Sequence, residues 1–273
     1  MSLVLSETAS FLQDQTQRFA REKTPTSHFR SVRDSENPEC FDREIWKQMA
    51  EQGLSGILIP EEYGGSNFGL SGIGVVLQEL GRTLTPSPLF ATAVLGASLI
   101  SKLGTDEQKK KYLPEIANGN LTCCFAFEEG PRHNPKISEV TAEKKGEKFL
   151  INGKKCFVVD GGFADLIIIA AKSSKGTSLF LAQKDSKGIK VKEAKMVDSR
   201  NSANILFTDL EINSENVLGE IDNAQDTIEE VLDIARAAIS AEMLGGALEA
   251  FEITVNYLKA VSYTHLTLPT TSP

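Results

Sequence analysis

Apolar residues recur at the three- and four-residue spacing of helices over the first 120 residues of the chain. Further helices are predicted over residues 71–84 and 88–103, and Thr105 with Gln108 has the spacing of a capping box that opens another helix. The spacing therefore predicts an all-helical N-terminal domain over residues 1–120. Its first two apolar segments are Leu5, Phe11, Leu12 and Phe19, then Ile45, Trp46, Met49 and Leu54.

From residue 121 the pattern changes to short apolar runs of strand length. Turn signals such as Asn152-Gly153 and Gly161-Gly162 separate these runs. We therefore predict a middle domain over residues 121–220 that is an antiparallel, β-barrel-like sheet, which places the chain in the α+β class. The predicted strands cover residues 122–127, 139–143, 149–151, 156–159, 166–171, 179–182, 189–192 and 205–210.

Helical spacing returns in the third region, residues 221–259, with the helix itself predicted over residues 222–259. No later segment of the chain offers this helix a partner, so we expect it to pack against nothing within the chain. An uncovered apolar stripe of this kind promotes self-association. The stripe consists of Ile228, Val231, Leu232, Ala235, Ile239, Met243, Ala247, Phe251 and Val255.

The last fourteen residues, 260–273, contain four threonines and two prolines and break the helical spacing abruptly. An out-of-frame read or a cloning scar would produce such a break. The alternative is an ordinary disordered terminus. We therefore exclude this tail from the prediction of the fold and expect it to be unrelated to the rest of the chain.

Charge and cysteine usage narrow the possible functions. With 29 basic and 37 acidic residues the formal charge is −8, and no basic run is long enough to follow a phosphate backbone, which argues against a nucleic-acid partner. No apolar run reaches the length of a membrane span and no signal region opens the chain, so we expect a cytoplasmic protein. The four cysteines and three histidines lack disulfide or metal spacing, which predicts reduced thiols and no metal site.

Five short motifs occur in order along the chain and together resemble the acyl-CoA dehydrogenase family. The sequence I-P-E-E-Y-G-G at 59–65 is similar to a turn of that family, and L-G-T-D-E-Q-K…K-Y-L-P at 103–114 is similar to its helical G-T-x-x-Q-K segment. N-G-K-K at 152–155, A-D at 164–165 and N-V-L-G-E at 216–220 complete the series. The resemblance extends from residue 1 to about residue 259.

This resemblance implies a specific architecture and chemistry. Members have a helical domain, a β domain and a C-terminal helical bundle, with FAD in the crevice between them, so residues 221–259 correspond to the first helix of the bundle. The implied activity is the oxidation of an acyl-CoA thioester across its Cα–Cβ bond, with FAD as hydride acceptor. The implied partners are an acyl-CoA, an electron-transfer flavoprotein or similar acceptor, and other subunits of a homo- or hetero-oligomer.

Two segments correspond to the flavin-contacting segments of the family, residues 125–130 and residues 157–159. From the residues alone, the three phenylalanines in these segments are also consistent with alternating core positions of a sheet, and this alternative stays open. The residues that the resemblance assigns to the flavin are Phe125, Phe127, Glu128, Glu129, Phe157, Val158 and Val159.

The same segments depart from the family pattern. Glu128 stands where relatives have a hydroxyl donor, Gly130 stands for a proline, and Val159 lacks the hydroxyl expected beside the flavin N5. Residues 133–135 read H-N-P in place of a glycine, a serine and an aspartate. These changes weaken the predicted cofactor site, especially around the pyrophosphate.

The catalytic base of the family is a glutamate, which most members carry in the bundle and a minority carry just before the arginine of an L-D-x-E-R segment. Here that segment reads L-D-I-A-R, so Ala235 occupies the second position, and we expect no catalytic base and no turnover from this chain. Asp233 and Arg236 correspond to residues that contact the CoA part of the substrate, although three-residue spacing also allows them to pair on a solvated helix face.

Two other functions remain compatible with these residues. One is a non-catalytic partner subunit of a heteromeric acyl-CoA dehydrogenase, which the changes at Glu128, Gly130 and Val159 favour. The other is a flavin oxidase or monooxygenase on the same scaffold, which rapid reaction of the reduced flavin with oxygen would reveal.

Overall fold

The computed structural model describes residues 5–134 and 136–260. It contains a helical N-terminal part, a β-sheet and a long final helix, in the predicted order. Ala260 is the last residue of that helix, and residues 261–273 of the predicted tail lie outside the described part of the chain, as does Pro135.

From residue 5 onwards, the N-terminal part contains six α-helices, one π-helical segment and a short 3₁₀ helix (Glu61–Tyr63), and polar caps fix where several of the α-helices begin. The Ser6 hydroxyl accepts the backbone N–H of Ala9 at 3.2 Å, and Thr105 and Gln108 form the predicted capping box. The helices are α1 (Glu7–Lys23), α2 (Thr26–Asp34), α3 (Arg43–Glu51), α4 (Gly69–Arg82), the π-helical segment (Phe90–Gly96), α5 (Ala97–Leu103) and α6 (Asp106–Ala117).

The single helix predicted over residues 88–103 is divided into the π-helical segment and α5. Within the π-helical segment, Thr92 uses its hydroxyl to accept the backbone N–H of Cys123 at 3.0 Å and lies 3.3 Å from the Cys123 carbonyl. Apolar periodicity does not distinguish four-residue from five-residue hydrogen bonding over so few turns, so this detail was beyond prediction. The contact ties the helices to the first strand.

The eight strands form one sheet that is mixed and open, whereas the sequence predicted an antiparallel, barrel-like one. Strand β1 runs parallel to β4, pairing Cys123 with Leu166, because the chain enters the sheet from the helical part on the same side as β4 begins. The strand order is β6-β7-β3-β2-β4-β5-β8, and β1 lies outside this path. The strands are β1 (Cys123–Ala126), β2 (Thr141–Lys145), β3 (Lys148–Val159), β4 (Leu166–Lys172), β5 (Thr177–Gln183), β6 (Ile189–Lys195), β7 (Asn201–Asn213) and β8 (Val217–Leu218).

The two faces of the sheet belong to different cores. One face joins the helices in a continuous core through residues such as Phe125, Ile168 and Leu181. The other face lines a separate core inside the curved sheet, centred on Ile151, Phe180 and Phe207. Burial on both faces explains the uninterrupted apolar run of β4.

The final helix, α7 (Gln225–Ala260), packs against α4 and the π-helical segment, so the prediction that it has no partner within the chain was wrong. Its buried face contains Ile228, Val231, Ala235, Ala238 and Gly245. The second half of the predicted stripe is exposed. The N-terminal helices thus provide the surface that was expected only from a later bundle. No helix of the described residues is long and apolar enough to cross a membrane.

Candidate functional site

A β-bulge in strand β3 presents Phe157 at the surface. The pairing of β3 with β7 shifts register between Lys155 and Val158, and the side chains of both residues are buried. Phe157 therefore belongs to the bulge between them, and its side chain points away from the core. Its φ angle is +51° and its side chain is 51% exposed. A large aromatic residue in the left-handed region is strained, and such strain is concentrated at functional sites. The core alternative therefore fails for Phe157.

The first predicted flavin segment lies mostly in the core. Phe125 and Phe127 are both buried, with ring centroids 5.4 Å apart. Their burial agrees with the interpretation that both phenylalanines are core residues of the sheet rather than side chains that contact a flavin.

The structure brings the two predicted segments together. The Cys156 N–H donates to the Glu128 carbonyl at 2.7 Å, and the Lys155 ammonium donates to the Phe127 carbonyl at 2.8 Å. These two bonds attach the bulge of β3 directly to the end of β1. Phe157 and Glu128 therefore lie on neighbouring segments of the chain. A single ligand that contacts both residues requires this proximity.

An ion pair between the fully buried Lys155 and the mostly buried carboxylate of Glu129 holds this junction. The Lys155 ammonium lies 3.0 Å from Glu129 Oε1, and the same carboxylate accepts the backbone N–H groups of Ser138, Glu139 and Val140, each at 2.9 Å. Burial lowers the pKa of Lys155 to about 8, although Glu129 opposes the shift. For Glu129 burial acts to raise the pKa, but the three N–H donors and Lys155 prevail and the pKa is lowered.

The carboxylate of Glu129 is thus committed to protein donors, whereas that of Glu128 is partly open. Glu128 Oε1 pairs with His133 Nδ1, but its Oε2 is buried and has no hydrogen-bond partner among the described residues. A buried polar atom without a partner costs free energy unless a ligand or water satisfies it. This atom marks the junction as a candidate ligand site.

The two valines of the second segment differ in position. Val158 is buried in the core inside the sheet, and Val159 is partly exposed beside Phe157. Only Val159 and Phe157 of this segment can therefore present a side chain to a ligand, and neither offers a hydrogen-bond donor there.

The residues assigned to the substrate lie on α7. Asp233 and Arg236 are exposed and form an ion pair, with Oδ1 and Nη1 2.5 Å apart. This is the pairing expected of a solvated helix face, so in this state the two residues satisfy each other. Ala235 lies on the opposite, buried face of the helix, against the N-terminal helices.

Sequence reasoning missed the part that Lys155 plays. The residue was noted only as a member of the N-G-K-K motif, and lysine is rarely buried without a partner. The available signal was the alternation of inward and outward positions along β3, because Ile151 points inward and Lys155, four residues later, points inward as well.

Two family models match the chain. The model described as "Acyl-CoA dehydrogenase, N-terminal domain" matches residues 6–120, and "Acyl-CoA dehydrogenase, middle domain" matches residues 124–213. The chain belongs to the acyl-CoA dehydrogenase family. The resemblance carried by the five short motifs is thereby confirmed.

Individual relatives are moderately similar to this chain. "Acryloyl-CoA reductase (NADH)" of Anaerotignum propionicum is 30% identical over 80% of the chain, and the short-chain specific acyl-CoA dehydrogenase of Clostridium acetobutylicum is 32% identical over 81%. The matches take in 58% and 61% of these relatives, so the chain spans about three fifths of their length. The crystal structure of an acyl-CoA dehydrogenase from Geobacillus kaustophilus has a TM-score of 0.86 at 26% identity, covering 97% of this chain and 72% of that one.

Proposed function

We propose that the protein to which this chain belongs is a flavin-dependent acyl-CoA dehydrogenase that oxidises the Cα–Cβ bond of an acyl-CoA thioester. The observation that carries the proposal is the strained, exposed Phe157, attached to the end of β1 through Cys156 and Lys155. A planar ligand with an apolar body and polar rim suits a surface aromatic ring beside an unpaired carboxylate oxygen.

The residues present fit FAD at this junction in part. When bound, FAD supplies the acceptor for the hydride of the β carbon. Phe157 would cover one edge of its ring system, and the backbone from Phe127 to Glu129 would face its polar rim. Glu128 Oε2 would accept a ring N–H at the position where relatives have a hydroxyl. Glu129 and Lys155 would hold this backbone in place without touching the ligand.

We propose that the residues that bind the CoA part of the substrate lie on α7. Arg236 would release Asp233 and bind phosphate or polar pantetheine atoms of CoA, which a guanidinium does well. Ala235 has no group that accepts a proton, so removal of the α proton is not assigned to this helix.

A non-catalytic partner subunit is the second candidate function. It is favoured by Glu128 in place of a hydroxyl donor, by the apolar Val159 and by the methyl group of Ala235. A partner of this kind would contribute shape and part of the site to a second chain rather than the proton acceptor. Retained flavin binding with no reduction of the flavin by any acyl-CoA would favour this function.

Substitution of Phe157 tests the cofactor site. We expect Phe157→Ala to weaken the binding of FAD about 2- to 10-fold, because an aromatic contact is worth about 0.5–1.5 kcal/mol beyond its buried area. Phe157→Trp should retain the affinity. The measurement is a titration that follows the quenching of flavin fluorescence.

The matched control is Phe11→Ala, which removes an exposed phenylalanine of α1, a helix that carries none of the residues proposed to contact the flavin. It should leave the affinity for FAD unchanged. Equal effects of the two alanine substitutions, or the absence of saturable FAD binding, would contradict the proposed site.

We further propose that the protein works as an oligomer and passes its electrons to an electron-transfer flavoprotein or similar acceptor. The second half of α7 exposes apolar side chains that a subunit interface would cover. Phe251→Glu should shift the sedimentation coefficient towards that of the monomer, whereas Leu70→Glu, at an exposed leucine of α4, should not. A monomeric wild-type chain at micromolar concentration would argue against this interface. The exposed residues are Met243, Leu244, Phe251, Ile253, Tyr257 and Leu258.

A further inference from the structure

Among the described residues, only the side chain of His133 bonds to the Glu128 carboxylate. Its Nδ1 atom pairs with Glu128 Oε1, whereas Oε2 of the same carboxylate is buried and has no hydrogen-bond partner within the described part of the chain. Because a carboxylate accepts hydrogen bonds and does not donate them, Nδ1 carries the hydrogen and donates it. The two oxygens therefore differ: the protein binds one of them and leaves the other open.

The loop between β1 and β2 brings His133 back to Glu128, which lies five residues earlier in the chain. Glu129 closes this loop, because its carboxylate accepts the backbone N–H groups of residues 138–140, each at 2.9 Å. Near the middle of the loop, the side chain of Asn134 accepts a backbone N–H from two residues further on, at 3.1 Å. These bonds keep the loop bent, and the bend places the imidazole next to the carboxylate.

An aromatic contact limits the rotation of the imidazole. The ring centroid of His133 lies 6.2 Å from that of Phe127, with 36° between the ring planes. Phe127 is buried and packs in turn against Phe125, so it is a fixed support. The His133 side chain is nevertheless 55% exposed. The contact therefore sets the direction of the Nδ1–H group without placing the histidine in the core.

Lys155, the buried cation of this junction, does not bond to the open oxygen. Its ammonium donates to the Phe127 carbonyl at 2.8 Å and to Glu129 at 3.0 Å. Burial lowers the pKa of Lys155 to about 8, and the carboxylates of Glu129 and Glu128 oppose this shift. Glu128 is thus close enough to influence the lysine, but its Oε2 atom remains without a donor.

The burial of Oε2 separates this pair from an ordinary surface ion pair. Water satisfies both carboxylate oxygens in a surface pair, and such a pair contributes little. Here the carboxylate is 27% exposed as a whole, while Oε2 is shielded from solvent. A buried acceptor without a donor is unfavourable, and a ligand that supplies an N–H group relieves this cost.

We propose that His133 is a positioning residue for the flavin, which holds the Glu128 carboxylate so that Oε2 accepts an N–H of the flavin ring. The inference rests on the proposed function, which places FAD against Phe157 and Glu128. A carboxylate is planar, so a hydrogen bond at Oε1 also fixes the place of Oε2. Without that bond the carboxylate would turn towards water and Oε2 would leave the ligand. His133 acts through Glu128 and does not touch the ring.

Substitution of His133 tests the inference through the affinity for FAD, measured by the quenching of flavin fluorescence. We expect His133→Ala to weaken binding about 2- to 10-fold, which corresponds to the loss of one net hydrogen bond. His133→Asn should retain the affinity, because the amide nitrogen of asparagine occupies the place of Nδ1 and donates in the same way. The control His28→Ala removes a histidine of α2, which carries none of the residues proposed to contact the flavin, and should change nothing.

A double-mutant cycle separates a positioning role from direct contact with the ligand. Glu128→Ala removes the group through which His133 acts, so adding His133→Ala to this variant should not weaken FAD binding further. If His133 instead contacted FAD directly, His133→Ala would cause the same loss with or without Glu128. That result would overturn the inference.

A spectroscopic measurement shows whether the hydrogen bond reaches the flavin ring. In complexes with FAD that carries ¹⁵N in its ring, the ring N–H proton should resonate downfield for the wild type and His133→Asn. It should move upfield for His133→Ala and for Glu128→Ala. A change in stability alone would not move this resonance in a saturated complex. The same resonance in all four complexes would contradict the proposed role.

The titration of Phe157→Ala distinguishes a failure of this inference from a failure of the proposed function. If Phe157→Ala weakens binding and His133→Ala does not, the cofactor site stands and the inference is wrong. If the wild type shows no saturable binding of FAD, or Phe157→Ala has no effect, the proposed function fails and the inference fails with it. Because His133 lies in a loop and is more than half exposed, its substitutions should not prevent folding, which urea denaturation checks.

Discussion

Replacing Gly245 by alanine should lower the free energy of unfolding by about 2 kcal/mol. A Cβ atom at this position would lie 1.9 Å from the backbone oxygen of Gln78, and one added to Gly81 would lie 2.2 Å from that of Glu242. The α4 and α7 backbones thus touch at two glycines. Forcing them apart costs about 3 kcal/mol, of which the better helix propensity of alanine returns about 1 kcal/mol.

The neighbouring glycine provides a matched control. A Cβ atom on Gly246 would meet only the Gly81 oxygen, at 3.7 Å, so Gly246→Ala should raise stability by about 0.5–1 kcal/mol. Denaturation in urea measures both variants under the same conditions. Changes of the same sign would show that α7 does not cross α4 at Gly245.

Breaking the buried pair between Lys155 and Glu129 should have the largest effect on stability. We expect Glu129→Gln to cost about 3 kcal/mol, because it leaves the Lys155 ammonium buried without its counter-charge. The glutamine would also turn an N–H₂ group towards backbone N–H donors that now share the carboxylate. Lys155→Met should cost less, since Glu129 would retain those three donors.

The pH dependence distinguishes this electrostatic cost from simple misfolding. The folded pKa of Lys155 is below its ordinary value, so the unfolded chain binds more protons and stability increases as the pH rises above about 8. In Glu129→Gln the lysine loses its proton more readily, and the deficit relative to the wild type should shrink between pH 7 and pH 9. Lys155→Met should lack this recovery.

A double-mutant cycle completes the test. Glu129→Gln with Lys155→Met should be less destabilised than the sum of the single variants by about 1–3 kcal/mol, because the double variant buries no unpaired charge. Additive effects, or a deficit in Glu129→Gln that is independent of pH, would mean that the pair does not stabilise this junction.

Local sequence signals determined the class of the fold and the family. The capping box at Thr105 and the uninterrupted apolar run of β4 depend on neighbours within a few residues, and both are as predicted. The motifs were sufficient for the family because short backbone segments of this kind repeat the same local geometry. Burial of Cys123 and Cys124 also agrees with their strand positions.

Only the tertiary structure decided how these elements meet. The mixed, open sheet depends on β1 joining β4 across forty residues, and the packing of α7 depends on glycines of two distant helices. The bulge that exposes Phe157 is a one-residue shift of register between β3 and β7, which reverses the faces of every residue beyond it. Sequence periodicity could place Phe157 in a strand but could not choose its face, because pairing between distant segments sets the register.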